Sequence, residues 1–382
     1  MPGTPLPRSE FPVTHEYAFL NNAGVGPLPA AACEAITGYL DDMRTRGSLA
    51  TDDHLARVEQ VRRGAADLLG VPADDVAFVR NTTSGLGLVA SGLDWQPGDR
   101  VVVPDLEFPS NVYPWLALRD RGVTVDLIQP VGPGRTLPLE LFDEALAREP
   151  ARLVAVSWVQ FGRGWRVDLA GLARLCHERG ALLCVDAIQG LGVLPARFRE
   201  WGVDFASADG HKWLLGPEGV GVFYVAAERR PLLRPLEPGW NSVAHRRQWD
   251  NLDLVLDESA RRFEGGTQPV GLIFGLGASI DLLRRAGPAE VWRHVEHLTA
   301  MAADGLARVG AEVLSERSAG RSGILSFEVP GRSPERVCAA LLDRGVVTSP
   351  RGGGVRVSPH GYTDESDIDA LVAAACEVAD NS

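Results

Sequence analysis

Short apolar runs rich in β-branched residues recur along the first 225 positions: VAFV (76–79), VVV (101–103), VTVDLI (123–128) and LVAVS (153–157). They continue as LLCVD (182–186), DFASA (204–208) and VGVFYV (220–225). Between several of them lie amphipathic stretches of helical period, such as LPLELFDEALARE (137–149) and DLAGLARLCHERG (168–180). Near-continuous apolar strands alternating with helices predict a mainly parallel sheet covered on both faces. Too few residues join the last two runs for a helical crossover, so one strand is expected to be antiparallel. After about 245 the texture changes: a charged stretch (246–264) precedes a Gly-rich helix, PVGLIFGLGASIDLLRRAG (269–287). Beyond it the pattern reads helix, ILSFEV (324–329), helix (334–344), short strands (346–348 and 355–357) and helix (364–378). The expected organisation is an N-terminal segment (1–40), a large α/β domain (41–285) with a seven-stranded sheet, and a smaller α+β C-terminal domain (286–382).

Composition narrows the setting. A formal charge of −12 over 382 residues disfavours a nucleic-acid backbone or an anionic membrane as the main partner, since both attract cationic surfaces. The N-terminus MPGTPLPRSEFPV lacks a signal-peptide core, and no run of about 18 apolar residues occurs. Five scattered cysteines (33, 176, 184, 338 and 376) form no CxxC pair, which suits a reduced cytoplasm better than a disulfide framework or a zinc site. His294 and His297 lack the HExxH pattern, and no metal site is expected.

Charge usage carries the sharpest signal. Of 38 basic residues, arginine fills every position but one, and the exception is Lys212 in SADGHKWLLGPEGVG (207–221). Arginine can replace lysine in solvation, ion pairing and phosphate binding, but its guanidinium does not form an imine with an aldehyde. Lysine can, once burial or neighbouring charge brings its amine to a useful pKa. The motif is no P-loop, because Lys212 is flanked by His211 and Trp213. A lysine Schiff base serves either aldolase-like chemistry or pyridoxal phosphate (PLP). Open parallel sheets bind ligands beyond the carboxyl ends of their strands. Asp186, Thr82–Gly85, Ser157 and Lys212 all fall at such ends. Asp186 offers a carboxylate for the pyridine nitrogen of PLP. NTTSG (81–85) offers hydroxyls and amides at a helix start for its phosphate, and Phe108 in LEFPSN (106–111) offers an aromatic ring.

Taken together, FLNNAGVGPLP (19–29), VRNTTSGLGLVA (79–90), VDAIQGLG (185–192), SADGHKWLLGPEGVGVFYV (207–225), FEGGTQPVGLIFGLGASI (263–280) and GVRVSPHGYTDESDIDAL (354–371) resemble the class V aminotransferase group of PLP enzymes, fold type I. That group includes cysteine desulfurases, isopenicillin-N-epimerase-like proteins and C–S lyases. The resemblance implies PLP as cofactor, with Lys212 as the lysine that carries it and Asp186 as the partner of its ring nitrogen. It further implies Gln189 on the phenolic oxygen, Thr82, Thr83 and His211 around the phosphate, and Phe108 over the ring. Thr267 would reach the phosphate of a second subunit, giving a homodimer with composite sites, and the N-terminal segment would pack near the active site. Arg356 would hold the substrate carboxylate, and Asn22 would be a second substrate contact.

Four departures from the family pattern bear on the reaction. Desulfurases carry a nucleophilic cysteine on a loop before the last strand, whereas SPRGGGVRVSPH (349–360) is short and cysteine-free. Phe108 replaces their histidine and cannot move a proton. Asp209 occupies a position where relatives use a phosphate-binding serine, and is expected to turn away from the phosphate. VQFGRGWRVDL (159–169) lacks their cofactor-facing asparagine and is expected to bring Arg163 and Trp165 near the pocket instead. Trp115, Trp165, Trp240 and Tyr362 are candidates for an aromatic pocket wall, and Arg163, Arg246, Arg247 and Arg351 for binding a second acidic group. The leading expectation is β-elimination on an S-substituted cysteine; transamination and epimerisation are the alternatives, ahead of persulfide-forming desulfuration and of a non-catalytic PLP-fold protein.

Overall fold

The computed structural model describes residues 3–380. Seven strands form one sheet: β1 (Val76–Val79), β2 (Arg100–Pro104), β3 (Thr124–Ile128), β4 (Leu153–Ser157), β5 (Leu182–Asp186), β6 (Phe205–Asp209) and β7 (Gly221–Val225), in the order β1-β7-β6-β5-β4-β2-β3. All neighbours run parallel except β7, which is antiparallel to both β1 and β6. The short link 210–220 enforces that reversal, as the sequence implies.

Alternate residues of these strands feed two separate cores. Val102, Val154, Val156, Leu183, Val185, Ala206, Ala208 and Val222 pack on one face, and Val101, Val103, Leu153, Ala155, Cys184, Phe205 and Phe223 on the other. Both faces are therefore dry, which is why the strands read as apolar runs. Cys176 and Cys184 lie fully buried in these cores.

Helix α1 (Ala30–Thr45) and helix α2 (Thr51–Leu69) pack against the Gly-rich helix Val270–Ala286. A Cβ on Gly277 would sit 2.3 Å from the Val61 side chain, and one on Gly275 2.8 Å from Ile36. Those glycines allow a close approach between helix axes rather than flexibility. The helix ends at Gly287, and Pro288–Arg308 continues toward a second, four-stranded antiparallel sheet. Its strands are β8 (Glu312–Val313), β9 (Leu325–Glu328), β10 (Ser349–Arg351) and β11 (Gly354–Val357), in the order β10-β11-β9-β8. Two details differ from the sequence reading. Val346–Val347 leaves this sheet to pair in parallel with Ala18–Phe19, and Ser349–Arg351 supplies an unforeseen edge strand. Among the described residues, no helix is long and apolar enough to cross a membrane.

Candidate active site

The carboxyl ends of β4, β5 and β6 lie side by side, with Ser157 beside Asp186 and Asp186 beside Ser207. Past β6 the chain makes a closed turn: Gly216 N donates to Gly210 O at 2.8 Å, and Leu215 N donates to Lys212 O at 3.0 Å. Leu215 adopts a left-handed φ of 55°, a conformation that a branched residue keeps only when its surroundings hold it. Buried Leu215 and Trp213 anchor the turn, and Gly26 N donates to His211 O at 2.8 Å from the N-terminal side. Lys212 is thereby fixed at the strand-end rim.

Burial pushes the Lys212 amine down to about 8; Arg356 and Arg351 push the same way, against Asp186 and Asp209. Asp186 is 2% exposed, and burial pushes its carboxyl up to about 6 against the amide of Ile188 (3.0 Å to Oδ1) and the charge of Lys212. Arg356 on β11 is also buried, and burial with Arg351 pushes its guanidinium down to about 10. Its Nη1 donates to Phe161 O at 2.8 Å and its Nη2 to Asn21 Oδ1 at 3.5 Å, while Nε has no partner. Among the described residues no carboxylate forms an ion pair with it. A buried cation facing an open cavity with only neutral acceptors is suited to a ligand's carboxylate.

These groups line one cavity of about 320 Å³, together with Asn81, Thr82, Thr83, Phe108, Gln189, Asp209 and His211. Asn81 caps the helix α3 (Thr82–Gly92), its side chain accepting from Ser84 N at 2.9 Å. A Cβ on Gly85 would come within 2.2 Å of Ser207 Oγ, so only glycine lets this helix start press against β6. Thr82 Oγ1 accepts from Asp209 N at 3.0 Å, which leaves its proton free to be donated. Thr83 is exposed and donates to Ser110. The Phe108 ring centroid lies 5.6 Å from Lys212 Nζ, and Phe161 meets that ring edge-on at 5.4 Å. Gln189 holds its place through Nε2 to Ala23 O (3.1 Å) and through Oε1, which accepts Trp213 Nε1 (2.8 Å); the second proton on Nε2 is left for a ligand.

The residues present therefore fit PLP. An amine of depressed pKa faces an aromatic ring, a buried carboxylate lies deeper in, and a capped helix start carries unspent hydroxyl and amide donors.

Several expectations are corrected. Asn22 does not line the cavity: it is fully buried, its Nδ2 donates to Ser358 O and its Oδ1 accepts the Tyr362 hydroxyl, each at 2.8 Å. The asparagine that meets Arg356 is Asn21. Asp209 does not turn away. Its Oδ1 accepts Gly210 N at 2.8 Å, and it lines the cavity with its Oδ2 3.1 Å from His211 Nδ1, a close approach without the geometry of a hydrogen bond. Arg163 is held by the carbonyls of Gly352 and Pro133, and Trp165 donates to Leu137 O; Phe161 takes the place by the pocket instead. Trp115 and Tyr362 are core, and Trp240 packs on Trp249. Arg351 does line the cavity. Thr267 lies in a different cavity, with Arg80, Leu236 and Glu237.

Two residues escaped the sequence reading. His360 Nε2 donates to Trp213 O at 2.9 Å while Nδ1 accepts Gly361 N at 2.7 Å, so both ring nitrogens are committed in the neutral form. Glu107, beside the recognised Phe108, is a buried hub described below. His360 lies within SPHGY, where nothing in a single sequence separates such a histidine from a surface one.

A sequence model described as "Aminotransferase class-V" matches residues 18–371. A probable cysteine desulfurase of Methanothermobacter thermautotrophicus is 30% identical, covering 97% of each chain. The solved complex of the cystine C–S lyase C-DES with cysteine persulfide superposes with a TM-score of 0.88 at 27% identity, over 96% of this chain and 99% of that one. A C-DES variant with glycine covalently linked to its PLP cofactor gives 0.89 at 26% identity, over 97% and 99%.

Proposed function

The chain belongs to the class V aminotransferase family and is a PLP-dependent enzyme, and on that footing we propose that it catalyses β-elimination on an S-substituted cysteine. PLP, when bound, supplies an electron sink for the carbanion that forms at the substrate Cα. Lys212 would hold the cofactor, and its Nζ is the group that would take the Cα proton of the substrate. Asp186 would hold the ring-nitrogen proton, and Gln189 would donate to the phenolic oxygen. Thr82, Thr83 and His211 would hold the phosphate. Phe108 would stack against the ring. Arg356 holds the α-carboxylate, a bidentate task suited to its planar fork. The Cβ–S bond breaks with its electron pair on sulfur, which takes up a proton to leave as a thiol; water completes the reaction to pyruvate and ammonia. Arg351 favours substrates that carry a second acidic group.

The observation that carries this reading is the pairing of an uncompensated buried guanidinium with the lone lysine in a cavity whose lining has no thiol. Cys338, on the helix Pro334–Leu342, does not line the cavity, and burial raises its thiol above the usual range. Elimination needs no enzyme thiol, unlike persulfide formation. The test is incubation with S-methylcysteine, following pyruvate and thiol. Release of both supports the reading. Neither product, with keto acids formed from added amino donors, would replace it with transamination; retention of substrate with loss of its chirality would replace it with epimerisation.

We propose a homodimer, with which the exposed apolar surface accords, and a cytoplasmic setting, for which the five scattered cysteines remain the argument. Trp249 (69% exposed), Leu252 (92%) and Leu254 (70%) expose large apolar side chains within six positions of one another. Exposed apolar area of that kind favours burial against a second copy.

A further inference from the structure

One buried carboxyl has no part in the chemistry above. Glu107 follows β2, is 7% exposed, and collects four donors. Ser157 N (2.8 Å) and Gln160 Nε2 (2.9 Å) reach Oε1, while Asn111 Nδ2 (3.0 Å) and the Ser157 hydroxyl reach Oε2. None of the four is a cation. A carboxylate has room for about four donors and no proton to give, so this shell is complete for the ionised side chain. Burial pushes Glu107 up to about 7, against the hydrogen bonds from Ser157 and Asn111.

Glu107 and Gln160 lie on two different loops, and the residue after each of these two lines the cavity. Glu107 precedes Phe108, whose ring stands before Lys212 Nζ. Gln160 precedes Phe161, whose ring meets Phe108 edge-on and whose carbonyl accepts Arg356 Nη1 at 2.8 Å. The bond between Glu107 and Gln160 thus fixes a ring contact on one loop and a guanidinium contact on the other. Ser157, bonded through both its amide and its hydroxyl, ties that pair to the end of β4, beside Asp186.

We infer that Glu107 is a positioning residue: a buried carboxylate that binds the Phe108 loop to the Phe161 loop, so that cofactor ring and substrate carboxylate are held in one fixed relation. Its substrate half rests on the reading of Arg356 as the carboxylate site; its cofactor half needs only PLP.

The test compares holoenzyme carrying Glu107→Gln or Gln160→Ala with the parent. Glutamine keeps the shape but offers one acceptor oxygen in place of two and turns an amide toward donors. Gln160→Ala removes only the strap between the loops, so it decides the matter even where Glu107→Gln does not fold. Both variants are expected to weaken PLP binding roughly tenfold and to raise the half-saturation of the S-methylcysteine spectral change by a similar factor. The visible circular dichroism of the bound cofactor, which reports the ring's fixed setting, is expected to shrink. The value of kcat is expected to stay within about threefold. A fall in kcat with binding and dichroism unchanged would make Glu107 an electrostatic neighbour of Asp186 and overturn the inference. A lower melting temperature with every site property intact would make it structural and overturn it as well, as would an effect on the cofactor without one on the substrate. Dichroism and spectral titration need no turnover, so missing pyruvate would count against the lyase reading alone.

Discussion

The amine of Lys212 offers the sharpest quantitative check. Burial, reinforced by Arg356 and Arg351, brings it down to about 8 from the ordinary 10.5. At about pH 7.5 an amine of pKa 8 is roughly one-quarter neutral, against about one in a thousand for an exposed lysine. The apoprotein is therefore expected to capture PLP a few hundredfold faster, on ionisation alone, than an ordinary lysine of equal access. The assay is the rate of appearance of the visible band of lysine-bound cofactor across neutral and alkaline pH, with Lys212→Arg as the baseline that removes any contribution from the α-amino terminus. The rate should rise with pH and level off above about 8. The variants fix the signs. Arg356→Gln removes a like charge and should move the midpoint up; Asp186→Asn removes an opposite charge and should move it down. A midpoint near the ordinary lysine value, or both variants moving it the same way, would refute the electrostatic account of the site.

Three further outcomes are expected. Arg356→Gln should raise the KM for S-methylcysteine by at least about 30-fold, equivalent to about 2 kcal/mol, while PLP retention stays unchanged; an unaltered KM would place the carboxylate elsewhere. His360 is pushed by burial from 6.5 down to about 4, so its unfolded form binds the extra proton first. Its stability contribution is complete above about 6.5 and is lost as pH falls toward 4, by about 3 kcal/mol. The urea-unfolding difference between parent and His360→Gln should shrink by that amount over the same window, the opposite shifts of Asp186 and Glu107 cancelling in the comparison; a constant difference would refute the buried neutral imidazole. Thr267→Ala should weaken PLP binding roughly fivefold, the value of one hydrogen bond, in protein that light scattering shows to be dimeric. Unchanged affinity would argue against a shared site.

The fold was legible because the large sheet is dry on both faces. Val101, Val102 and Val103 go to different cores yet all are apolar, so the run announces a strand without alternation. The reversal at β7 was legible from chain length alone. Val346–Val347 was misplaced because its partner, Ala18–Phe19, lies more than three hundred positions away, and no local pattern encodes that pairing. The site divides along the same line. Lys212, Asp186, Thr82 and Phe108 sit at strand ends or helix starts, positions that local sequence marks. Asn22 resembles Asn21 in sequence, and only the Tyr362 hydroxyl and the Ser358 carbonyl, both near the other end of the chain, decide which one turns inward. Asp209 was misread because repulsion from a phosphate was weighed without the Gly210 amide that its Oδ1 accepts at 2.8 Å, a backbone contact no sequence pattern announces.

Amino-acid usage also acts on the chemistry, beyond having pointed to the site. The two cations nearest Lys212 in the cavity, Arg351 and Arg356, are guanidiniums that stay charged. They lower the amine's pKa without offering a second amine to the aldehyde. Lysines in their place would exert a similar charge but compete for PLP, and each would titrate in turn, so the fraction reacting at Nζ of Lys212 would fall with every addition. Arginine at both positions supplies the electrostatics while leaving one nucleophilic side-chain amine in the cavity. Arg356→Lys is therefore not a conservative change here: it keeps the charge, loses the planar fork for the carboxylate, and places a rival nucleophile beside the cofactor.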